Sequence, residues 1–343
     1  MNKINQTIID SIIKKAEMVC PDSLALIGIY GSIATGDEYD KSDLDLLILI
    51  NNEDGWKLGY GFILDDTNIG YDIYCTNWDM LKGDAECNHA HLSKLLNSKI
   101  IYVQDESALK KLEEIKADVL DFLKSDDRFK KAKEALKNAK LAFGQTCLSN
   151  SVSEAMTNGA YVISCLLDTV MLFNGMYFKL GVKRTFKELE PLNMSPLFVE
   201  NINSIVHSKT VDEIILSLKS MLLYVEDYIS VAKKREKPSA ENIAGTYEEM
   251  YSNWRNKVEE AAYNGDVFSS FMNLCSLKYM LHDIACDVEI EDFDIMLNFN
   301  PKDLYENIKV FDDALEKYKK NYDRAGILPK HYANVNEFAK DYM

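Results

Sequence analysis

The sequence predicts an α+β protein, in which a region that contains a small mixed sheet is followed by helical bundles. Two observations support this fold class. Short apolar runs of strand length, such as residues 24–30 and 46–50, all lie before residue 106. Beyond that point they disappear, and long helical patterns with few glycines replace them. The change of pattern predicts a domain boundary at residue 106.

Three domains are predicted from changes of this kind: residues 1–106, 107–235 and 236–343. The second boundary is placed within residues 233–241, a charged stretch with a proline that interrupts the helical patterns. A chain of 343 residues is long enough to build two or three separate cores.

The elements of the first domain can be predicted in chain order. Apolar residues at helical spacing from Ile8 to Val19 predict an amphipathic helix that Pro21 ends. Apolar or alternating runs then predict strands, in chain order, at 24–30, 46–50, 60–64, 69–75 and 99–104. The later helices are predicted at 107–124, 127–148, 151–174, 211–233, 247–263, 266–285 and 301–322.

Polar residues mark the ends of the first two predicted strands. Gly31 and Ser32 follow the first strand directly, and Asp43 and Asp45 lead into the second. Since alternate residues of an extended chain face the same way, the two carboxylates project together. Their repulsion is relieved by a divalent cation such as Mg²⁺, which keeps water and phosphate oxygens as its other ligands.

A phosphate group is predicted to lie next to this cation. Gly31 has no Cβ, so a phosphate can approach the backbone closely there. Ser32 adds a hydroxyl group, and backbone amides at the start of a following helix can supply N–H donors. The sequence therefore predicts a phosphate site and a metal site on neighbouring strands.

The spacing of these residues resembles the signature of the DNA polymerase β-type nucleotidyltransferase superfamily. Gly31-Ser32 is separated from Asp43-x-Asp45 by ten residues. The surrounding Gly-Ser-x-Ala-x-Gly and Ser-Asp-Leu-Asp-Leu-Leu sequences are similar to those of its small bacterial members, the aminoglycoside and lincosamide adenylyltransferases and the minimal nucleotidyltransferases. The resemblance implies two Mg²⁺ ions at the aspartates. It also implies ATP or another nucleoside triphosphate held by Gly31, Ser32 and Ser42.

The site has three more candidate residues later in the chain, which are Asp72, Lys183 and Arg184. A charge is costly in the middle of a strand, and the family often has a third carboxylate on a later strand, so Asp72 is predicted to bind metal or to act as general base. Lys183 and Arg184 lie in a break between helices and are predicted to neutralise triphosphate charge. The alternatives are an exposed Asp72 and two cations that cap a helix.

Composition restricts the partners and the location. A net charge of −16 opposes binding to nucleic acid and favours a small cationic acceptor, although solubility alone also explains it. The seven cysteines contain no Cys-x-x-Cys pair, a usage typical of a reducing cytoplasm. The N-terminus has no signal-peptide pattern and the longest apolar helix contains Asp168, so no membrane span is predicted.

The resemblance implies a metal-dependent enzyme. We expect transfer of NMP, in the simplest case AMP from ATP, to a hydroxyl of a small acceptor such as an aminoglycoside, by a monomer or homodimer. Two alternatives remain open. One is an antitoxin-like AMP transferase that modifies a partner protein, and the other is a non-catalytic nucleotide-binding or assembly module.

Overall fold

The computed structural model describes residues 2–230, 235–291 and 293–342. The chain divides into two compact units, Met1–Ser230 and Val231–Met343. The predicted boundary at residue 106 falls inside the first unit, and the one at residue 235 falls close to the division. The three-domain organisation therefore stays a prediction. Lys233 and Lys234, in the predicted linker, lie outside the described residues.

The strands of the first unit confirm the predicted α+β class. Their bounds are β1 Leu24–Ile29, β2 Leu46–Ile50, β3 Tyr60–Leu64, β4 Ile69–Ile73, β5 Cys75–Asn77 and β6 Lys99–Val103. Four of them form a mixed sheet in the order β5-β2-β1-β6, where β1 is antiparallel to β2 and β6 while β2 is parallel to β5. The other two, β3 and β4, form a separate antiparallel ribbon, a hairpin of two strands that are consecutive in the chain.

The helices of the first unit lie on both faces of this sheet. Their bounds are α1 Lys3–Val19, α2 Gly31–Thr35, α3 Trp78–Ala85, α4 Ser93–Asn97, α5 Glu106–Lys124, α6 Arg128–Cys147, α7 Val152–Phe173, α8 Thr185–Leu189, α9 Pro196–His207 and α10 Val211–Ser230. Ile9 and Ile12 of α1 share one core with Ile27 and Ile48 of the sheet. On the other face, Leu26 joins a second core built largely by the helices from α5 onward. Strands β1 and β2 are buried along their whole length between these cores.

The predicted helices do not include α9, which nevertheless carries a clear start signal. Ser195 is its N-cap and accepts a hydrogen bond from the Leu197 N–H, and Pro196 occupies the first helical position. Serine at the cap and proline just inside it are preferred at helix N-termini.

One buried carboxylate fixes the segment between α3 and α4 to helix α7. Asp168 of α7 accepts a hydrogen bond of 2.8 Å from the Ala90 N–H, and the Phe178 N–H donates to the Ala90 carbonyl at 2.8 Å. Burial raises the pKa of Asp168, although the Ala90 N–H opposes the rise. The N–H and the carbonyl of the buried Ala90 thus form hydrogen bonds with Asp168 of α7 and with Phe178, which follows α7.

Helix α7 is also apolar enough to resemble a membrane span. By length and composition it is the single such helix among the residues described, with a mean hydropathy of 1.4. Half of its most apolar 18-residue stretch is buried inside the fold.

The second unit has its own core. Its helices are α11 Ala240–Ile243, α12 Thr246–Met250, α13 Asn256–Asn264, α14 Val267–Asp287, α15 Leu304–Ala325 and α16 Val335–Tyr342. Met250, Leu277, Phe311 and Tyr318 are fully buried in it. The predicted helix at 247–263 is interrupted by a π-helical turn over Tyr251–Arg255.

Candidate functional site

The site is positioned by the antiparallel pairing of β1 with β2. Ile29, the last residue of β1, is the register partner of Leu46, the first residue of β2. The Tyr30 N–H extends the ladder with a hydrogen bond of 3.1 Å to the Asp45 carbonyl. As a result, the residues that follow β1 lie beside the residues that precede β2.

Asp43 and Asp45 face the same side of the chain, as the sequence predicted. Leu44 between them is buried and only 4% exposed, whereas Asp43 is exposed and Asp45 is half-buried. Both aspartates precede β2 rather than lie within it. The alternation of an extended chain still holds there, because the Tyr30–Asp45 hydrogen bond keeps this segment aligned with the sheet.

Gly31 and Asp45 are in direct contact. Gly31 has a φ of +66°, a left-handed conformation that glycine adopts at no steric cost. A Cβ atom on this residue would lie 1.9 Å from Oδ2 of Asp45, so the carboxylate occupies the space that a side chain would fill. The glycine thus serves the approach of the carboxylate to the turn, in addition to any role toward a phosphate.

The two carboxylates form an uncompensated pair. Burial and the charge of Asp43 raise the pKa of Asp45 from 3.8 to about 6, against a hydrogen bond from the Ser32 N–H that lowers it. Among the described residues, no lysine or arginine forms an ion pair with either aspartate. This donor set fits a hard divalent cation, because carboxylate oxygens are its preferred protein ligands.

An open cavity of about 600 Å³ brings most of the predicted residues together. The predicted residues that line it are Gly31, Ser32, Ser42, Asp43, Asp45 and Lys183. The other lining residues are not among those predicted from the sequence. They are Thr35, Asp37, Tyr39, Lys41, Asn68, Ile69, Gly70, Gly181 and Val182. Those at 68–70 are the last residue of the turn between β3 and β4 and the first two residues of β4, and they carry no chemical motif of their own.

The two serines of the cavity are held by backbone hydrogen bonds. The Ser32 N–H is directed to the Asp45 carboxylate, so this amide is already used. The following helix α2 has only five residues. Ser42 closes a turn with Tyr39, whose N–H donates to Oγ of Ser42 at 3.0 Å. The Ser32 hydroxyl is therefore the group of that residue that best suits a phosphate.

Asp72 does not join the carboxylate pair. It lies on β4 opposite Gly61, is exposed to solvent, and is not among the residues that line the cavity. Within the described part of the chain, no group of three or more His, Cys, Asp or Glu residues is placed to hold a metal ion. The role of Asp72 as third ligand or base thus stays a prediction.

Tyr30 shows that the carboxylates nonetheless share one electrostatic environment. Burial and, in decreasing order, the charges of Asp45, Asp43, Asp84 and Asp72 raise the pKa of Tyr30 to about 12. The Tyr30 hydroxyl is therefore ionised even less readily than that of an ordinary tyrosine. Asp84 carries its own cation, since Lys94 Nζ lies 2.9 Å from its carboxylate.

Lys183 and Arg184 are both engaged by Asp37. Lys183 Nζ donates to the Asp37 carbonyl at 2.7 Å, and Nε and Nη2 of Arg184 donate to Oδ1 of Asp37 at 3.1 and 2.7 Å. The hydrogen bond from Arg184 lowers the pKa of Asp37. Arg184 itself does not line the cavity. Asp37 directly follows the Gly-Ser-x-Ala-x-Gly sequence, and only its position next to that motif could have indicated a role.

Comparison with known proteins gives a match to a family model in the first part of the chain. Residues 12–142 match the family model of the nucleotidyltransferase domain. No curated protein matches the chain. A crystal structure of a nucleotidyltransferase-like protein from Exiguobacterium sibiricum 255-15 aligns with 76% of this chain and 92% of its own, at 13% identity and a TM-score of 0.31. A likeness that weak carries no argument about this chain.

Proposed function

We propose that the protein transfers a nucleoside monophosphate to a hydroxyl of a small cationic acceptor, since residues 12–142 match the family model of the nucleotidyltransferase domain. ATP is the simplest donor, and AMP is then the group transferred. The observation that carries the proposal is the placement of Asp43 and Asp45 in one cavity with Gly31 and Ser32.

The reaction requires one bond to form and one to break. The acceptor oxygen forms a bond to the α-phosphorus, the bond from that phosphorus to the bridging oxygen breaks, and pyrophosphate leaves with that electron pair. The hydroxyl proton passes to a base, which we assign to Asp72. A positioned base of this kind contributes about 10²–10⁴-fold to a rate.

The carboxylates of Asp43 and Asp45 would hold magnesium ions. When bound, such ions neutralise charge on the triphosphate and on the leaving pyrophosphate. Ser32 and Ser42 supply hydroxyl groups toward the phosphates, and Lys183 supplies a positive charge at the edge of the same cavity. Little covalent chemistry is required of the protein, so positioning and charge account for most of the catalysis.

Two features support a cationic acceptor. Tyr30 lies within the fields of Asp43, Asp45, Asp72 and Asp84, so the region around it is acidic. The whole chain carries a net charge of −16, which attracts cations over a longer range. An aminoglycoside has the required hydroxyls and positive charge. The proposal places the enzyme in the cytoplasm as a monomer or homodimer, without nucleic acid or membrane partners.

The proposal is tested by the release of pyrophosphate. Purified protein is incubated with Mg²⁺, each of the four nucleoside triphosphates and a panel of aminoglycosides and neutral polyols. We expect release that depends on metal and on a cationic acceptor, and products whose mass has increased by one NMP. If calorimetry detects no nucleotide binding with Mg²⁺ and no acceptor supports release, the proposed activity is wrong.

A further inference from the structure

We propose that Asp37 is a positioning residue that holds Lys183 in the lining of the triphosphate cavity and Arg184 beside it. An acidic side chain would then strengthen the binding of an anion. This inference rests on the proposed function, because it requires a triphosphate in that cavity.

Asp37 contacts both cations, through two different groups. Its backbone carbonyl accepts from Lys183 Nζ at 2.7 Å, and Oδ2 of its carboxylate lies 3.6 Å from the same nitrogen. Oδ1 accepts two hydrogen bonds from Arg184, at 3.1 and 2.7 Å. Hydrogen bonds between two charged groups are the strong ones in proteins, and a guanidinium that donates twice is also fixed in orientation.

Asp37 is itself rigidly connected to the phosphate-binding turn. Its N–H donates to the Ser32 carbonyl at 2.9 Å, and Gly36, with a φ of +72°, ends helix α2 just before it. The residue that holds the cations is therefore hydrogen-bonded directly to the backbone of Ser32.

The segment that carries the cations, residues 179–188, is held by hydrogen bonds between its own residues. Oε2 and Oε1 of Glu188 accept from the N–H groups of Lys179 and Leu180 at 2.7 and 2.9 Å, and the Arg184 N–H donates to the Gly181 carbonyl at 2.8 Å. The backbone of this segment is therefore braced without Asp37. The two long side chains are 42% and 40% exposed, so Asp37 is the group that fixes their ends.

Both cations retain donors for a ligand. Lys183 has three N–H donors and lines the cavity, and its one hydrogen bond to Asp37 leaves the others available for phosphate oxygens. Arg184 has five donors and uses two of them on Asp37. Asp37 thus orients the cations without consuming their capacity to bind an anion.

This arrangement makes a prediction opposite in sign to that of simple electrostatics. If Asp37 acted only as a negative charge near the cavity, Asp37→Asn would strengthen the binding of an anion. If it positions the cations, the same substitution weakens binding, because Arg184 loses the charge of its acceptor and Lys183 keeps only its hydrogen bond to the backbone carbonyl. More of the ordering of both side chains then falls to the ligand.

The experiment measures the affinity of inorganic triphosphate for the full chain by calorimetry with Mg²⁺, which avoids the unknown base preference. We expect Asp37→Asn to weaken binding by about tenfold and the control Asp40→Asn to change it by less than about twofold. Asp40 lies in the same loop, is exposed and does not line the cavity. Equal or tighter binding by Asp37→Asn at an unchanged melting temperature would overturn the inference.

A second comparison separates positioning from a direct effect. In the Lys183→Met/Arg184→Met background, Asp37→Asn should cause no further loss of affinity, since the residues through which it acts are gone. A full tenfold loss in that background would show that Asp37 acts without them and would contradict the inference. Failure of the wild-type chain to bind triphosphate or any nucleoside triphosphate would refute the proposed function as well, whereas the outcomes above leave that function standing.

Discussion

The carboxylate of Asp45 occupies the space where Gly31 would carry a side chain, and a Cβ there would lie 1.9 Å from Oδ2. The nearest other atoms to that position are Cγ and Cβ of the same aspartate, at 2.6 and 3.0 Å. Glycine and aspartate are thus mutually dependent, although fourteen positions separate them in the chain. The glycine-serine pair and the aspartate pair function as one structural unit.

Substitution of Gly31 by alanine should abolish activity through this contact. Gly31→Ala and Gly36→Ala both place a side chain at positive φ, at +66° and +72°, which costs about 1–2 kcal/mol in each case. Only Gly31→Ala also collides with Asp45, because nothing lies within 4 Å of a Cβ on Gly36. We expect Gly36→Ala to keep most of its turnover. Similar turnover in the two variants would contradict the role of the contact.

Asp45→Asn should remove activity while making the metal-free protein more stable. The substitution eliminates a carboxylate whose pKa is raised to about 6 by burial and by Asp43, and we expect a gain of about 1–2 kcal/mol at pH 7.5. Metal-dependent NMP transfer should fall by at least about a hundredfold. Chemical denaturation with chelator present and a turnover assay with Mg²⁺ measure the two effects. The control is Asp22→Asn, an exposed residue ahead of β1, and retained turnover in Asp45→Asn would refute the assigned role.

The pH dependence of metal binding should follow the same carboxyl group. Its pKa is higher in the folded chain than the ordinary 3.8, so the folded state binds this proton more tightly than the unfolded state does. The stability that this group contributes is therefore present below about pH 4 and is lost as pH rises through about 6. A divalent ion competes with that proton, so its affinity should fall by up to about tenfold per unit below pH 6. Calorimetric titration at pH 5, 6 and 7.5 checks this, and an affinity independent of pH would contradict it.

The sequence was sufficient to predict the scaffold of the site because each element there has a strong local signal. The apolar runs predict β1 and β2. The spacing of Gly31-Ser32 from Asp43-x-Asp45 predicts that these two motifs lie at the adjacent ends of the two strands. The contacts of Asp37 could not be predicted, since its two cations lie more than 140 residues away in sequence. The prediction for Asp72 depends on the free-energy cost of a charged side chain in the middle of a strand. That cost is small in the structure, because β4 belongs to a two-stranded ribbon where this side chain reaches solvent.

The proposed base can be tested separately from the metal ligands. Asp72→Asn should lower kcat by about a hundredfold with little change in nucleotide affinity, because a base acts in the transition state rather than in binding. The control Asp65→Asn changes an exposed residue in the turn of the same hairpin. A normal kcat in Asp72→Asn would assign the proton to another group, and a loss of nucleotide affinity would favour a metal-binding role for Asp72 instead.

Asp168 should stabilise the fold through the backbone of Ala90. Asp168→Ala leaves the buried Ala90 N–H without its acceptor, which costs about 1–3 kcal/mol. Asp168→Asn keeps an oxygen acceptor and should lose less. Urea denaturation of both variants measures the difference. Equal losses would show that the charge of Asp168, rather than its hydrogen bond to Ala90, is what matters.

The complete burial of β1 has a consequence for measurements of ligand binding. Its amides pair with strands on both sides and lie between two cores, so their exchange with deuterium requires the first unit to open cooperatively. The turn and loop at 31–45 are exposed or half-buried apart from Leu44, and they can exchange through local motion. In one labelling experiment, the exchange rate of the β1 amides thus reports global opening. The slowing of exchange that a ligand causes in residues 31–45 can be compared with that rate.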